Sequence, residues 1–249
     1  MKKYISIAAT LAVFGAVWHI TSVLVGRPFL QSPAATFDAL VRLASAGRLW
    51  PHVWASLSRV VWALAASSVP ALLLGLAAGR SARLNSIISP AIYLFHPTPK
   101  AAFLPIIMLF FGIGDLARIV LITFIIFGQM LVTIRDAARQ IPGEYLDAVR
   151  SLGAGRTALV RHVVIPAILP GFFTGFRISL GTAVAVLFIA ETFVSQNGLG
   201  YLVNDAWIRI AYAEMYAAIF ALSFLGLLLF VLTDLLEFVL CPWQHNKRL

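Results

Sequence analysis

The sequence predicts an all-α bundle that crosses a membrane six times, and three observations carry that prediction. Of the 249 residues, 61% are hydrophobic and 12% charged, and the mean hydropathy is +0.92, well above the roughly half-apolar make-up of soluble domains. About 20 apolar residues suffice to cross about 30 Å of hydrocarbon, and six runs meet that test: 4–25, 53–79, 87–113, 117–134, 171–194 and 216–240. The runs are continuous rather than short and alternating, which argues for helices and against a closed barrel. Residues 1–249 read as one transmembrane domain.

The net charge of +9 does not point to a nucleic-acid partner once its placement is considered. With a cytoplasmic amino terminus, the inner segments carry Lys2, Lys3, Arg80, Arg83, Arg135, Arg139, Arg150, Arg156, Arg161, Lys247 and Arg248, and the outer ones only Arg27, Arg42, Arg48, Arg118 and Arg209. This asymmetry follows the positive-inside rule and places both termini in the cytoplasm.

Element by element, Met1-Lys2-Lys3 and the apolar run after it lack a small-x-small cleavage pattern before Gly26, so the run reads as a retained span. Ser32-Pro33 can start an external amphipathic helix on which Phe37, Leu40, Val41 and Ala44 recur at helical spacing. Arg59 enters the second span near its outer end, where snorkelling to the interface costs little. The third span holds Pro90, Pro97, Pro99 and Pro105, each lacking a backbone donor, and Lys100 near its middle. Lys100 therefore needs a polar cavity or a carboxylate partner. Arg177 lies toward the cytoplasmic end of the fifth span. Glu191 lies near its outer end, where it either lines a route outward or reaches the wet interface. Gly75-x-x-x-Gly79 and Gly171-x-x-x-Gly175 permit close helix approach.

The inner loop 135–170 has helical periodicity that a mere connector would not need. Pro142 starts a short helix with an apolar stripe of Tyr145, Leu146, Val149 and Leu152, and Gly153 supplies the left-handed stop. Thr157 through Val164 form a second helix, which Pro166 and Pro170 end before the fifth span. Two helices at a glycine elbow make a cytoplasmic knob whose polar face, Asp147, Arg150, Arg156 and Arg161, suits a groove on a soluble partner.

This loop resembles the EAA loop of permease subunits in binding-protein-dependent ABC importers, which reads Glu-Ala-Ala, three residues, Gly, nine residues, then Ile-x-Leu-Pro. Asp147-Ala148-Val149, Gly153 and Val163-Val164-Ile165-Pro166 keep both spacings, with Asp for Glu, Val for the second Ala, Val for Ile and Ile for Leu. "SLSRV" at 56–60, "HPTPKAAFLPIIMLFFGIG" at 96–114, "LDAVRSLGAG" at 146–155 and "NGLGYL" at 197–202 are similar to stretches of the sulfonate, taurine and nitrate permease branch.

The resemblance implies the type I importer permease fold in a bacterial inner membrane, with the loop, Ala154 included, docking an ATPase dimer. It further implies a second permease copy, an extracytoplasmic binding protein, and a pathway on which Arg59, His96, Lys100, Arg177 and Glu191 are candidate lining residues. The cargo implied is a small polar or anionic nutrient such as a sulfonate, taurine or nitrate, with a pyrimidine vitamin precursor as the alternative.

No catalytic role and no cofactor is expected on the chain itself. "GAGRT" at 153–157 lacks the lysine of a phosphate-binding loop, so ATP and Mg are expected on a separate ATPase subunit. His19, His52, His96, His162 and His245 form no i,i+4 pair, and Cys241 has neither disulfide partner nor fellow ligands, so no metal site is expected. A stand-alone secondary carrier is the rival reading, but the halves show no obvious inverted repeat.

Overall fold

The computed structural model describes residues 2–26, 28–95 and 97–244, and for 2–8, Leu11 and Arg156 the backbone alone. Arg27, His96, His245, Lys247 and Arg248, all named above, lie outside the described residues. Every regular element among those described is helical. They are α1 (Lys2–Val25), α2 (Pro33–Ser45), α3 (Leu49–Arg80), α4 (Ala82–Phe95), α5 (Leu104–Phe111), α6 (Asp115–Arg139), α7 (Gly143–Ser151), α8 (Arg156–Leu159), α9 (Ile165–Thr192), α10 (Leu199–Ile208) and α11 (Tyr212–Leu240).

The expected six rods take a different form. Four described helices are long and apolar enough to cross a membrane: Leu49–Arg80, Asp115–Arg139, Thr157–Thr192 and Tyr212–Leu240. The third expected span is broken instead, with α4 and the helical stretch Lys100–Phe111 meeting at 85°. Pro97 and Pro99, one residue apart, each withhold a donor there, and a 3-10 turn, Lys100–Phe103, restarts the chain. In α1 the described apolar part is the shorter Ala12–Val25.

Pro166 and Pro170 do not end a helix as expected. The chain runs from Thr157 to Thr192 as one helical span, with a π-helical turn at Val160–Val164. The ring of a proline presses on the carbonyl four residues back, here that of His162, and a widened turn relieves that pressure while the helix continues.

The chain forms two compact units, one of Met1–Ser56 with Glu191–Phe224 and one of Leu57–Ala190 with Leu225–Leu249. In the first, Ser32 caps α2 by accepting from the Ala35 N–H at 3.2 Å. The buried side of α2 is Thr36, Ala39 and Leu43, whereas Phe37 and Val41 are exposed. Of the expected stripe, Phe37 and Val41 face outward while Leu40 and Ala44 are half-buried beside the inner side. The Trp18 indole donates to the Gln31 carbonyl at 3.0 Å and stacks on Tyr216 at 6.2 Å.

The second unit is organised around α6. A methyl placed on Gly75 would lie 2.9 Å from the Ile134 Cβ, and one on Gly79 2.6 Å from both the Ala138 Cβ and the Arg135 carbonyl. On α9, a methyl on Gly171 would lie 2.5 Å from the Ala137 Cβ and one on Gly175 3.0 Å from the Thr133 Cβ. The two glycine pairs therefore press two helices onto neighbouring faces of α6, Ile134/Ala138 and Thr133/Ala137. Close backbone approach of this kind is how helices gain dispersion contacts where lipid offers no hydrophobic drive.

Candidate coupling site and translocation pathway

The knob begins where α6 ends. Pro142 is extended and caps α7, and Gly153 has φ +81°. The Gly153 N–H donates to the Arg150 carbonyl at 2.9 Å and the Ala154 N–H to the Val149 carbonyl at 3.4 Å, the paired bonds of a Schellman stop. Leu146 is buried with Ala138, Ile141, Leu159, Val164 and Ile168, against which Val149, Val163, Leu72 and Leu76 pack. The base of the knob is thus cemented to α3, α6 and the start of α9.

The expected single apolar stripe of α7 divides in two. Leu146 and Val149 turn inward, whereas Tyr145 is 61% and Leu152 84% exposed, with Ala148 exposed between them. At about 100° per residue, positions 145, 148 and 152 share a face and 146 points away from it, while half-buried Val149, next to Tyr145 around the helix, sits at the margin between the two. Asp147 and Arg150 form an ion pair at 3.1 Å, but both are well exposed, so it adds little stability. Pro166 sits in the first turn of α9, and Arg156 opens α8.

The pathway candidates fall into different settings. Arg59 is fully buried and does not snorkel. Its guanidinium donates to Asp115 Oδ1 through Nε at 2.9 Å and Nη2 at 2.6 Å, and a buried cation needs such an answer. Arg177 donates to Asp234 through Nε at 2.9 Å and to Glu237, with its plane 5.5 Å from the Phe230 ring centre. Lys100 is half-buried and lines a cavity of about 450 Å3 together with Gln129, Phe95, Phe124 and Phe127.

Glu191 does not reach a wet interface, since it is fully buried. The Ser56 hydroxyl lies 2.8 and 2.9 Å from its two oxygens, and the Gly200 N–H donates to Oε2 at 2.8 Å. The Leu199 N–H donates to the Ser56 Oγ at 2.8 Å and the Gly198 N–H to His52 Nδ1 at 3.1 Å, while His52 stacks on Tyr201 at 5.7 Å. Three side chains therefore satisfy the orphan donors at the start of α10, where a carboxylate also complements the helix dipole.

Sequence reasoning passed over the partners in these contacts. Asp115 opens α6, Asp234 and Glu237 are three apart in the last turns of a largely apolar helix, and Ser56 and His52 lie one turn apart on α3. The acidic pair in α11 was the readable signal, because two intramembrane carboxylates on one face call for a cation.

Residues 71–244 match the family of binding-protein-dependent transport system inner membrane components. The chain belongs to this family. Along 246 residues it is 32% identical to the taurine transport system permease protein TauC of Escherichia coli (strain K12), covering 96% of this chain and 90% of that protein. It is also 30% identical to the riboflavin transport system permease protein RibX of Chloroflexus aurantiacus, over 97% of this chain and 91% of that one. The formylaminopyrimidine transport permease protein ThiX of Halalkalibacterium halodurans is 28% identical over 93% of this chain and 92% of that one. A chain of the MetNI methionine ABC transporter in an inward-facing conformation superposes with a TM-score of 0.64 at 22% identity, covering 76% of this chain and 96% of that one. This inner membrane component thus has the permease fold that the loop motif implied, in a multi-pass chain.

Proposed function

We propose that the chain is the permease subunit of an ATP-driven importer, working as two copies in a bacterial plasma membrane with both termini in the cytoplasm. Tyr145, Leu146, Asp147, Ala148, Val149, Arg150, Leu152, Gly153, Ala154, Arg156 and Pro166 form the coupling element. Leu146 and Val149 hold its base, and Tyr145 and Leu152 meet a groove on an ATPase subunit. ATP and Mg bind on that ATPase, not here. The observation that carries this reading is the exposed Tyr145–Leu152 face on a helix whose other side is buried against α6 and α9. An apolar face presented on a rigid elbow is suited to a partner rather than to water.

An external binding protein delivers the cargo, a small polar or anionic nutrient of the sulfonate or taurine kind. Similarity to the taurine permease along nearly the whole chain supports this reading. Lys100 lines the pathway, with Arg59 and Arg177 of the same unit as further candidates. Nucleotide-driven closure of the ATPases moves the knob and shifts the spans between two states. A pyrimidine vitamin precursor is the second reading for the cargo, favoured by similarity to the formylaminopyrimidine permease.

The test is uptake into proteoliposomes holding this permease, its ATPase and its binding protein, with labelled taurine and labelled formylaminopyrimidine offered in parallel. ATP-dependent accumulation of taurine is expected. Accumulation of the pyrimidine instead selects the second reading, and equal uptake without ATP or without the ATPase overturns the importer assignment.

A further inference from the structure

Within the second unit, α9 and α11 leave a groove of about 400 Å3 between them, walled by Leu180, Gly181 and Val184 on one side and Gly226, Leu227 and Phe230 on the other. Two glycines open it. A methyl placed on Gly181 would meet nothing within 4 Å, and one on Gly226 would meet only the Val184 methyls, at 3.5 and 3.7 Å. Both helices belong to spans long and apolar enough to cross a membrane, and Leu227 and Phe230 are exposed along the rim. At about 100° per residue, positions 226, 230, 234 and 237 fall on one face of α11, and 177, 181 and 184 on one face of α9. The groove therefore leads toward the ion pairs of Arg177 with Asp234 and Glu237, and the guanidinium lies 5.5 Å from the centre of the Phe230 ring at that end. At about 1.5 Å per residue, Asp234 is about 12 Å along α11 from Gly226 and about 33 Å from Tyr212. Against about 30 Å of hydrocarbon, that puts the carboxylate at headgroup level and the groove in the adjoining leaflet.

We propose that this groove binds a phospholipid with a primary-ammonium headgroup, its acyl chain beside Gly181 and Gly226 and its ammonium on Asp234. Two carboxylates face one guanidinium here, which leaves one negative charge over, and among the described residues Arg177 is the only cation paired with either. Nε and Nη2 of Arg177 both converge on Asp234 Oδ1, at 2.9 and 2.6 Å, while the Asp234 side chain stays 51% exposed. A second cation can therefore reach the carboxylate, and a surplus charge at the edge of a bilayer is stabilised by one. An ethanolamine ammonium, like that of lysine, brings three donors on a compact charge. A choline head carries the charge without a donor, and a glycerol head leaves the lipid anionic and repelled. The chain lies in the notch, where it regains the dispersion contacts that two missing side chains leave unmade.

The experiment places the full-length permease in phosphatidylcholine nanodiscs doped with lipids that carry a diazirine in the acyl chain and an ethanolamine, choline or glycerol head. After irradiation, the labelled residues are mapped by mass spectrometry. The ethanolamine lipid should label the α9–α11 groove at least about fivefold more than the glycerol lipid, the scale of an attractive against a repulsive half-exposed charge contact, with the choline lipid between them. Asp234→Asn leaves one carboxylate for one guanidinium and should bring the ethanolamine lipid down to the choline level. Gly181→Leu fills the notch and should lower groove labelling by all three, with labelling of exposed Phe14 and Val17 on α1 unchanged as the reference. Equal labelling by the three heads overturns the proposal, because bulk lipid would then merely wet the groove. Strongest labelling by the glycerol lipid, a preference that survives Asp234→Asn, or a groove left unlabelled while α1 is labelled, as when a second copy covers it, overturns it as well.

If Asp234→Asn fails to yield folded protein, Glu237→Gln removes the same surplus charge and takes its place. If neither folds, the ranking of the three heads on the wild-type protein together with Gly181→Leu decides. Labelling needs no ATP, no ATPase and no cargo, so its failure strikes this lipid site alone and leaves the importer reading to the uptake experiment.

Discussion

Arg59 and Asp115 stand 56 positions apart in the chain, yet Nε and Nη2 of the arginine converge on one carboxylate oxygen at 2.9 and 2.6 Å. Arg118 approaches the same oxygen at 3.7 Å. The arginine is fully buried while the Asp115 side chain is 56% exposed, so the aspartate is the side on which solvent can compensate. Asp115→Ala should lower stability by about 1–3 kcal/mol, the cost of removing a charge-assisted partner from a buried guanidinium, and Asp115→Glu should recover part of it. Thermal unfolding in detergent measures both, and an unshifted midpoint for the alanine variant refutes the pairing.

Gly198 has φ +113°, and a methyl there would run into the Glu191 carboxylate. Gly198→Ala should therefore cost about 1–3 kcal/mol through backbone strain and also disturb the start of α10. Ser56→Ala removes both a donor to Glu191 and an acceptor for Leu199. Amide exchange in α10 should speed up in either variant, and wild-type protection in both would mean that the buried carboxylate does not hold this helix.

The glycine contacts on α6 make a paired prediction. Gly171→Val drives a side chain into the Ala137 methyl, whereas Gly181→Val meets nothing within 4 Å at its Cβ. Overpacking typically costs about 1–3 kcal/mol, so membrane abundance should fall for the first variant and hold for the second. Equal abundance would show that α9 does not press on α6 there.

At the knob, Tyr145→Ser with Leu152→Ser should leave thermal stability within about 0.5 kcal/mol, since exposed positions contribute little to folding. Co-purification with the ATPase should nevertheless be lost. Gly153→Val acts by another route, imposing about 1–2 kcal/mol of left-handed strain on a β-branched residue and misdirecting the elbow. Retained ATPase binding in the double variant would remove the exposed face from the interface.

Cys241 is fully buried, and burial, followed by the charge of Glu237, pushes its thiol above the ordinary value. A raised pKa keeps the group protonated through neutral pH, so thiolate is scarce until the solution is more alkaline than a free cysteine requires. Maleimide labelling at pH 7 should be slow in the folded protein and fast after unfolding. Rapid labelling of the folded state would contradict both the burial and the shift.

What could be read from the sequence was local. Pro142 and Gly153 bracket a helix because one fixes an extended entry and the other a left-handed exit, and both act within a single turn. Pro97 and Pro99 likewise marked the place where the third span breaks, although not its 85° angle. The partners of Arg59, Arg177 and Glu191 could not be read, because each lies on a distant stretch of chain and no spacing rule reaches that far. Pro166 misled for a different reason: a proline ends an ideal α-helix, but a π turn just before it lets the helix go on. On α7, hydrophobicity marked Tyr145, Leu146, Val149 and Leu152 alike, and only packing against α6 and α9 shows which of them face inward.

With bare glycine backbone seated on two neighbouring faces of α6, α3, α6 and α9 are keyed together like planks with matched notches. A push delivered at the knob is then felt by all three planks at once. Sliding of α3 or α9 against α6 is opposed wherever that bare backbone is seated.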